Sequence, residues 1–151
     1  MRDRLNKVII EYAKIKEIDV ESLSALKSMN YLMALQAAVI GLFFLGPNDF
    51  FLRPTSPPDD SWLTFTYLGV EMWDILFPLG AIILAVCTAI LRRVSMAHGF
   101  LALVWGMLGV VWSIGGLMNS PSHYFGVGLV SIFISALHIS MIRLWRAEGV
   151  N

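Results

Sequence analysis

Among its polar residues the chain carries three histidines and only a few that interrupt apolar stretches, in a sequence that is 57% hydrophobic. Burying such groups in lipid is costly, so each is a functional candidate. His98 and His138 stand in different apolar stretches at a similar distance from one end. Two imidazoles on facing helices can hold a haem or a metal ion. The plainer expectation is that His138 hydrogen-bonds Gln36, Thr88 or Ser135, so that Gln36, Thr88, His98, Ser135 and His138 form an inner polar cluster beside Cys87. A second group gathers toward the other end: Glu71, Asp74, His123 and Arg53, with Ser113 and Asn119 nearby. Glu71 and Asp74 are three apart and would share a helix face. They would draw cations to an outer vestibule, bind a divalent ion with His123, or pair with Arg53. The plainer expectation is two interfacial acids in contact with water.

The plainer expectation holds for both groups, and no catalytic, cofactor-binding or metal-ligating residue is expected. No nucleophile–base–acid constellation, phosphate-binding glycine loop or zinc-finger spacing is visible. Gly115-Gly116 and Gly126-Val127-Gly128 fall at apolar span ends and do not read as nucleotide loops. Cys87 is the only cysteine, which excludes an intramolecular disulfide and a dithiol redox pair. An enzyme is not expected.

The elements that must position these residues are four apolar stretches, at about 28–45, 72–91, 96–117 and 124–142. Each is near the ~20 residues that a helix rising about 1.5 Å per residue needs to cross a ~30 Å hydrocarbon core. Mean hydropathy is +0.70 over 151 residues. A soluble protein with four helices buried on every side would need more chain to cover them. The fold class expected is therefore all-α: a polytopic integral membrane protein, with an up-down bundle of four transmembrane helices spanning 28–142.

Charge orients the bundle. Of eleven Lys and Arg, Arg2, Arg4, Lys7, Lys14, Lys16 and Lys27 precede the first stretch. Arg92 and Arg93 separate the second from the third, and Arg143 and Arg146 follow the fourth. Only Arg53 lies in the first loop, and the third loop has none. Basic residues near span ends are retained in the cytoplasm, so both termini are expected inside a bacterial inner or plasma membrane.

Residues 1–27 read as a cytoplasmic segment. Leu5, Val8, Ile9, Tyr12 and Ile15 recur at helical spacing opposite charged residues, an amphipathic helix for the headgroups or for the protein's own inner face. The mixed polar character of this segment is unlike a cleavable signal peptide. Asp19 is placed to cap a helix running through Leu23, Leu26 and Met29. The outer loop, 46–71, opens at Gly46-Pro47-Asn48-Asp49. Asp59 or Asp60 would cap a short helix from Ser61 or Trp62, and Trp62, Phe65, Tyr67 and Trp73 would form an aromatic belt. The chain should bend near Gly69, and Pro78 should kink the second span. Residues 143–151 read as a cytoplasmic tail.

Small residues mark where helices can approach closely. They are Ala34, Ala37, Ala38 and Gly41 on the first span; Ala81, Ala85 and Ala89 on the second; Ala102, Gly106, Gly109, Ser113 and Gly116 on the third; Gly128, Ser131 and Ser135 on the fourth. Between the two polar layers the middle is dry and carries no ionisable residue, unlike the midplane sites of ion-coupled transporters.

The Leu45–Pro47 turn, the Arg92-Arg93 turn, His98 followed by Trp105, and the second His138 together resemble the layout of small four-span membrane proteins of actinobacterial phages. Some of these lie near lysis genes and are regarded as holin-like. The resemblance covers most of the chain and implies an oligomer that permeabilises or remodels the bilayer; it transfers no catalytic residue. The alternatives are an accessory or assembly subunit of a larger membrane complex and a small channel or transporter. The partners expected are the lipid bilayer and either further copies or a larger complex, with no nucleic acid.

Overall fold

The computed structural model describes residues 10–11, 19–45, 66–67, 70–118 and 123–149. Within them lie four long helices and one small strand pair: α1 (Val20–Leu45), β1 (Thr66–Tyr67), β2 (Val70–Glu71), α2 (Met72–Ile90), α3 (Val94–Met118) and α4 (His123–Ala147). Among the described residues the regular structure is all-helical apart from β1 and β2. Met72–Ile90, Val94–Ile114 and Phe125–Ala147 are long and apolar enough to cross a membrane.

Helix α1 begins where Asp19 caps it. The Ser22 N–H and the Ser22 hydroxyl both donate to Asp19 Oδ2, each at 3.0 Å, satisfying donors that a first turn leaves open. These bonds, led by the Ser22 backbone bond, hold the Asp19 carboxyl below its ordinary value of 3.8. Of the expected N-terminal amphipathic helix, Ile10 and Glu11 are helical and exposed; its other residues lie outside the described ones. The same holds for Arg53, Asp59, Asp60, Trp62 and Gly69.

The segment before α2 differs from the expected interfacial helix. Thr66 pairs with Glu71 and Tyr67 with Val70, antiparallel. Glu71 is thus in a strand and only Asp74 is in the first turn of α2. The shared helix face proposed for the two acids therefore does not form.

The helices pack as two antiparallel hairpins. In the first, α1 lies against α2 with Gly41 beside Pro78: a Cβ on Gly41 would fall 2.6 Å from Pro78 Cδ, so only glycine admits the proline ring. In the second, α3 and α4 meet backbone to backbone, a Cβ on Gly109 falling 2.9 Å from the Gly128 carbonyl oxygen. Ser135 donates to the Ala102 carbonyl at 2.7 Å across the same seam. The hairpins meet through α2 and α3, where Phe77 sets its ring edge to Trp105 (4.7 Å, 66°) and stacks tilted with Trp73 (6.2 Å, 37°).

The α2–α3 turn takes three residues. Arg92 N–H bonds the Cys87 carbonyl at 3.1 Å, a Schellman-type closure, with Leu91 (φ 51°) in the left-handed position that glycine usually fills. Arg93 (φ 56°) is left-handed as well; its carbonyl accepts the first bonds of α3, from Met96 and Ala97. Leu91 is buried, and its hydrophobic contact offsets the strain of that backbone.

Candidate functional site

At the end of the bundle that holds the Arg92-Arg93 turn, all four helices contribute to one buried polar cluster. Helix α1 supplies Asn30, α2 Thr88, α3 His98, and α4 His138 and Trp145; each is fully buried. Asn30 is the hub. Its Nδ2 donates to Thr88 Oγ1 at 2.9 Å. Its Oδ1 accepts from Trp145 Nε1 at 3.1 Å and pairs with His98 Nε2 at 2.9 Å. His98 Nδ1 in turn lies 2.9 Å from His138 Nδ1, with ring centroids 5.1 Å apart.

The network assigns its own protons. An indole N–H can only donate, so the atom facing Trp145 must be the amide oxygen, which fixes the Asn30 orientation. That oxygen can only accept, so His98 Nε2 carries a hydrogen. With both rings neutral, His98 Nδ1 is then bare and must accept from a hydrogen on His138 Nδ1. His138 Nε2 is left as a bare lone pair, buried and with no hydrogen-bond partner.

Two further buried donors sit one helical turn nearer the bundle end. Lys27 precedes Asn30 by three residues and Ser95 precedes His98 by three. Asn30 Nδ2 joins Thr88 near the end of α2, and α3 starts just beyond, so α1 and α3 run parallel. The shared offset therefore puts Lys27 and Ser95 at one level. Lys27 Nζ and Ser95 Oγ have no hydrogen-bond partner.

Of the inner residues expected from sequence, Thr88, His98 and His138 come together. Gln36 does not: it is exposed, because six residues from Asn30 carry it about 240° around the helix at 3.6 residues per turn. Ser135 bonds the Ala102 carbonyl instead of His138. The partner of His138 is the other histidine, which corrects the expected bond to Gln36, Thr88 or Ser135. Cys87 is half-buried beside Thr88. Asn30, Lys27 and Trp145 were not anticipated. The available signal was the stripe Asn30, Ala34, Ala37, Gly41 on one face of α1, which places the amide, unlike Gln36, on the packing side. Trp145 falls in the expected tail, yet α4 continues to Ala147 and buries it fully.

The arrangement also bears on ligation. The two Nδ1 atoms face one another at hydrogen-bond distance, which leaves no room for an iron or other metal between the rings. Among the described residues, no three His, Cys, Asp or Glu come together as a metal-binding group. At the opposite end, Asp74 Oδ1 is buried without a hydrogen-bond partner. The outer cluster of Glu71, Asp74, His123 and Arg53 is not otherwise described, since Arg53 and the side chains of Glu71 and His123 lie outside the described residues.

The small-residue seams divide. Ala102, Gly106, Gly109 and Ser113 face α4: a Cβ on Gly106 would lie 3.3 Å from Ser135 Oγ, and Ser113 abuts Gly128. Ala81 is buried, Ala85 half-buried and Ala89 exposed. Each step of four residues turns about 40° beyond a full turn, so that ladder leaves the interface within two steps. The chain matches no family model, no curated protein and no solved structure.

Proposed function

We propose that this chain is a small integral membrane protein that oligomerises and permeabilises or remodels the bilayer, in the manner of a holin. Its α1 serves as the fourth span, and both termini lie in the cytoplasm. The observation that carries this reading is the division of the bundle into two hairpins. Each hairpin is sealed by close backbone or proline contact, whereas among the described residues the polar bonds that join them include the two that Asn30 makes to His98 and Trp145. Hairpins joined in this way can exchange partners between copies without breaking their own seams.

The outer faces fit that use. Leu32, Leu35, Leu42, Ile82, Leu103, Leu117 and Phe133 are all well exposed, the surface that lipid or another copy would cover.

Tightly induced expression in a bacterium tests the proposal. Growth, membrane potential and release of a co-expressed cytoplasmic endolysin are followed together. Abrupt depolarisation, with lysis only when endolysin is present, is the expected result. Normal growth with abundant inserted protein would reject it in favour of an accessory subunit, and partner capture from native membrane would follow.

A further inference from the structure

The proton assignment leaves His138 Nε2 as a buried imidazole nitrogen with a free lone pair and no hydrogen-bond partner. We propose that this nitrogen is a proton-binding site, and that filling it opens the contact between the two hairpins at the Arg92-Arg93 end. The inference stands whether or not the protein permeabilises membranes.

The proton is delivered by hydronium at the bundle end: one O–H bond of hydronium breaks, one N–H bond forms at the Nε2 lone pair, and water is left. The resulting imidazolium keeps its Nδ1–H donated to His98 Nδ1, so this first step leaves the histidine pair joined. What changes is the state of Nε2. A bare buried nitrogen becomes a charged N–H with no acceptor, which is among the costliest groups to bury.

Among the described residues, nothing packed around the pair relieves that charge. From α1 the site is faced by Asn30 and, one turn nearer the end, Lys27. Helix α2 contributes Thr88 with Cys87 beside it. Helix α3 contributes His98 and Ser95, and α4 contributes Trp145, with exposed Arg143 and Arg146 beyond. The turn adds exposed Arg92 and Arg93. Among the described residues the carboxylates nearest this end, Asp19, Glu21 and Glu148, lie toward the helix ends, outside the buried cluster. The charged side chains near the pair are therefore cationic, and the charge must reach water.

The boundary that yields is the one between hairpins. Within the second hairpin, the Gly109–Gly128 contact and the Ser135–Ala102 bond hold α3 to α4 independently of the histidines. Between hairpins at this level, among the described residues, the polar ties are those of Asn30 to His98 and Trp145. A second proton, at His98 Nδ1, would set two N–H groups against each other and end the histidine pairing as well.

The test uses the full chain in phosphatidylcholine nanodiscs, titrated from about pH 8 to about pH 3. The range extends below the one in which histidine ordinarily changes charge, because a buried imidazolium without an acceptor is costly. Nitrogen-15 spectra of labelled histidine follow the ring nitrogens. Spin labels at Glu21→Cys and Ala147→Cys, in a Cys87→Ala background, report the separation of α1 from α4. The expected result is that His138 Nε2 is unprotonated at the alkaline end. On acidification its signal moves to the protonated position, and the label distance lengthens over the same interval. In His138→Phe the distance change is lost. The proposal is overturned if Nε2 already carries a hydrogen at the alkaline end, or if the wild-type distance does not follow the ring signal. An unchanged pH response in His138→Phe also overturns it. Should that variant fail to insert, the wild-type correlation alone decides.

Discussion

Asn30 does more for this bundle than its size suggests, because three different donors and acceptors on three helices depend on one amide. Replacing it with leucine removes the acceptor for His98 Nε2 and Trp145 Nε1 and the donor to Thr88. Hydrogen bonds between membrane helices average about 0.6 kcal/mol each, so three such bonds contribute about 2 kcal/mol; orphaned buried groups cost about 1–3 kcal/mol each outside lipid. Asn30→Leu should therefore lower stability in a denaturing-detergent titration by about 2 kcal/mol or more. Trp145→Phe keeps the ring packing and frees only one lone pair of Oδ1, so its loss should be under half as large. Equal losses would show that Asn30 is not the hub. At the other end of α1, Asp19 offers a pH test. Its carboxyl is held below 3.8 by the Ser22 bonds, so the capping contribution is fully present above that pH. It disappears as pH falls through the lower folded value. Asp19→Ala should remove this acid-dependent fraying of the first turn, followed by amide exchange at Ser22, and Asp19→Ser should retain the cap without the pH dependence. At this scale the sequence disclosed which residue types mattered and only part of which met. The histidine layer was readable from depth alone. The His–His bond was not, since side-chain pairing depends on helix rotation, and Gln36 and Asn30 differ by rotation more than by depth.

Helix existence was legible because long apolar runs with few alternatives must be helical in lipid, and the Asp19 cap was legible because its chemistry is local. What escaped was the end of α4 and the run before α2. The Arg143 and Arg146 charges suggested a tail, but four-residue spacing lets α4 keep them exposed while Met141 and Trp145 remain buried on the other face. Before α2 the aromatic-rich sequence also suits short strands, as β1 and β2 show. The seam between α3 and α4 carries a firm prediction. Gly109 and Gly128 touch through backbone atoms that cannot rotate away, so Gly109→Leu should destabilise the hairpin by at least the ~1–3 kcal/mol of an overpacked core. Leucine at the lipid-facing Val110 should be neutral by the same melting assay. The turn gives the opposite sign. Arg93 occupies a left-handed backbone at a cost of about 1–3 kcal/mol, so Arg93→Gly should stabilise by up to about 1 kcal/mol, while Arg93→Val should destabilise. If the two variants melt alike, the turn carries no strain.

The molecule as a whole is two hairpins with unequal bonds, strong within each and weaker between. That imbalance yields a test joining structure to the proposed activity. Gly80 lies on α2 at the boundary between hairpins, where an added Cβ would fall 2.5 Å from Leu101 Cδ2 and 3.1 Å from Phe100 Cε1. Those neighbours are side-chain ends, so Gly80→Ala should wedge the hairpins slightly apart and leave each one folded. Gly109→Leu instead damages a hairpin from within. For a permeabiliser that acts by re-pairing hairpins between copies, the two changes should diverge. Gly80→Ala should bring depolarisation forward in an induced culture, and Gly109→Leu should delay or abolish it at equal membrane abundance. Amide replacement of both Glu71 and Asp74 should leave the timing unaltered, because re-pairing needs no outer charge. If the two glycine variants shift the onset in the same direction, re-pairing is not the step that limits permeabilisation. If instead the Glu71 and Asp74 amides alter conductance, the outer acids would have to be counted as part of a pore.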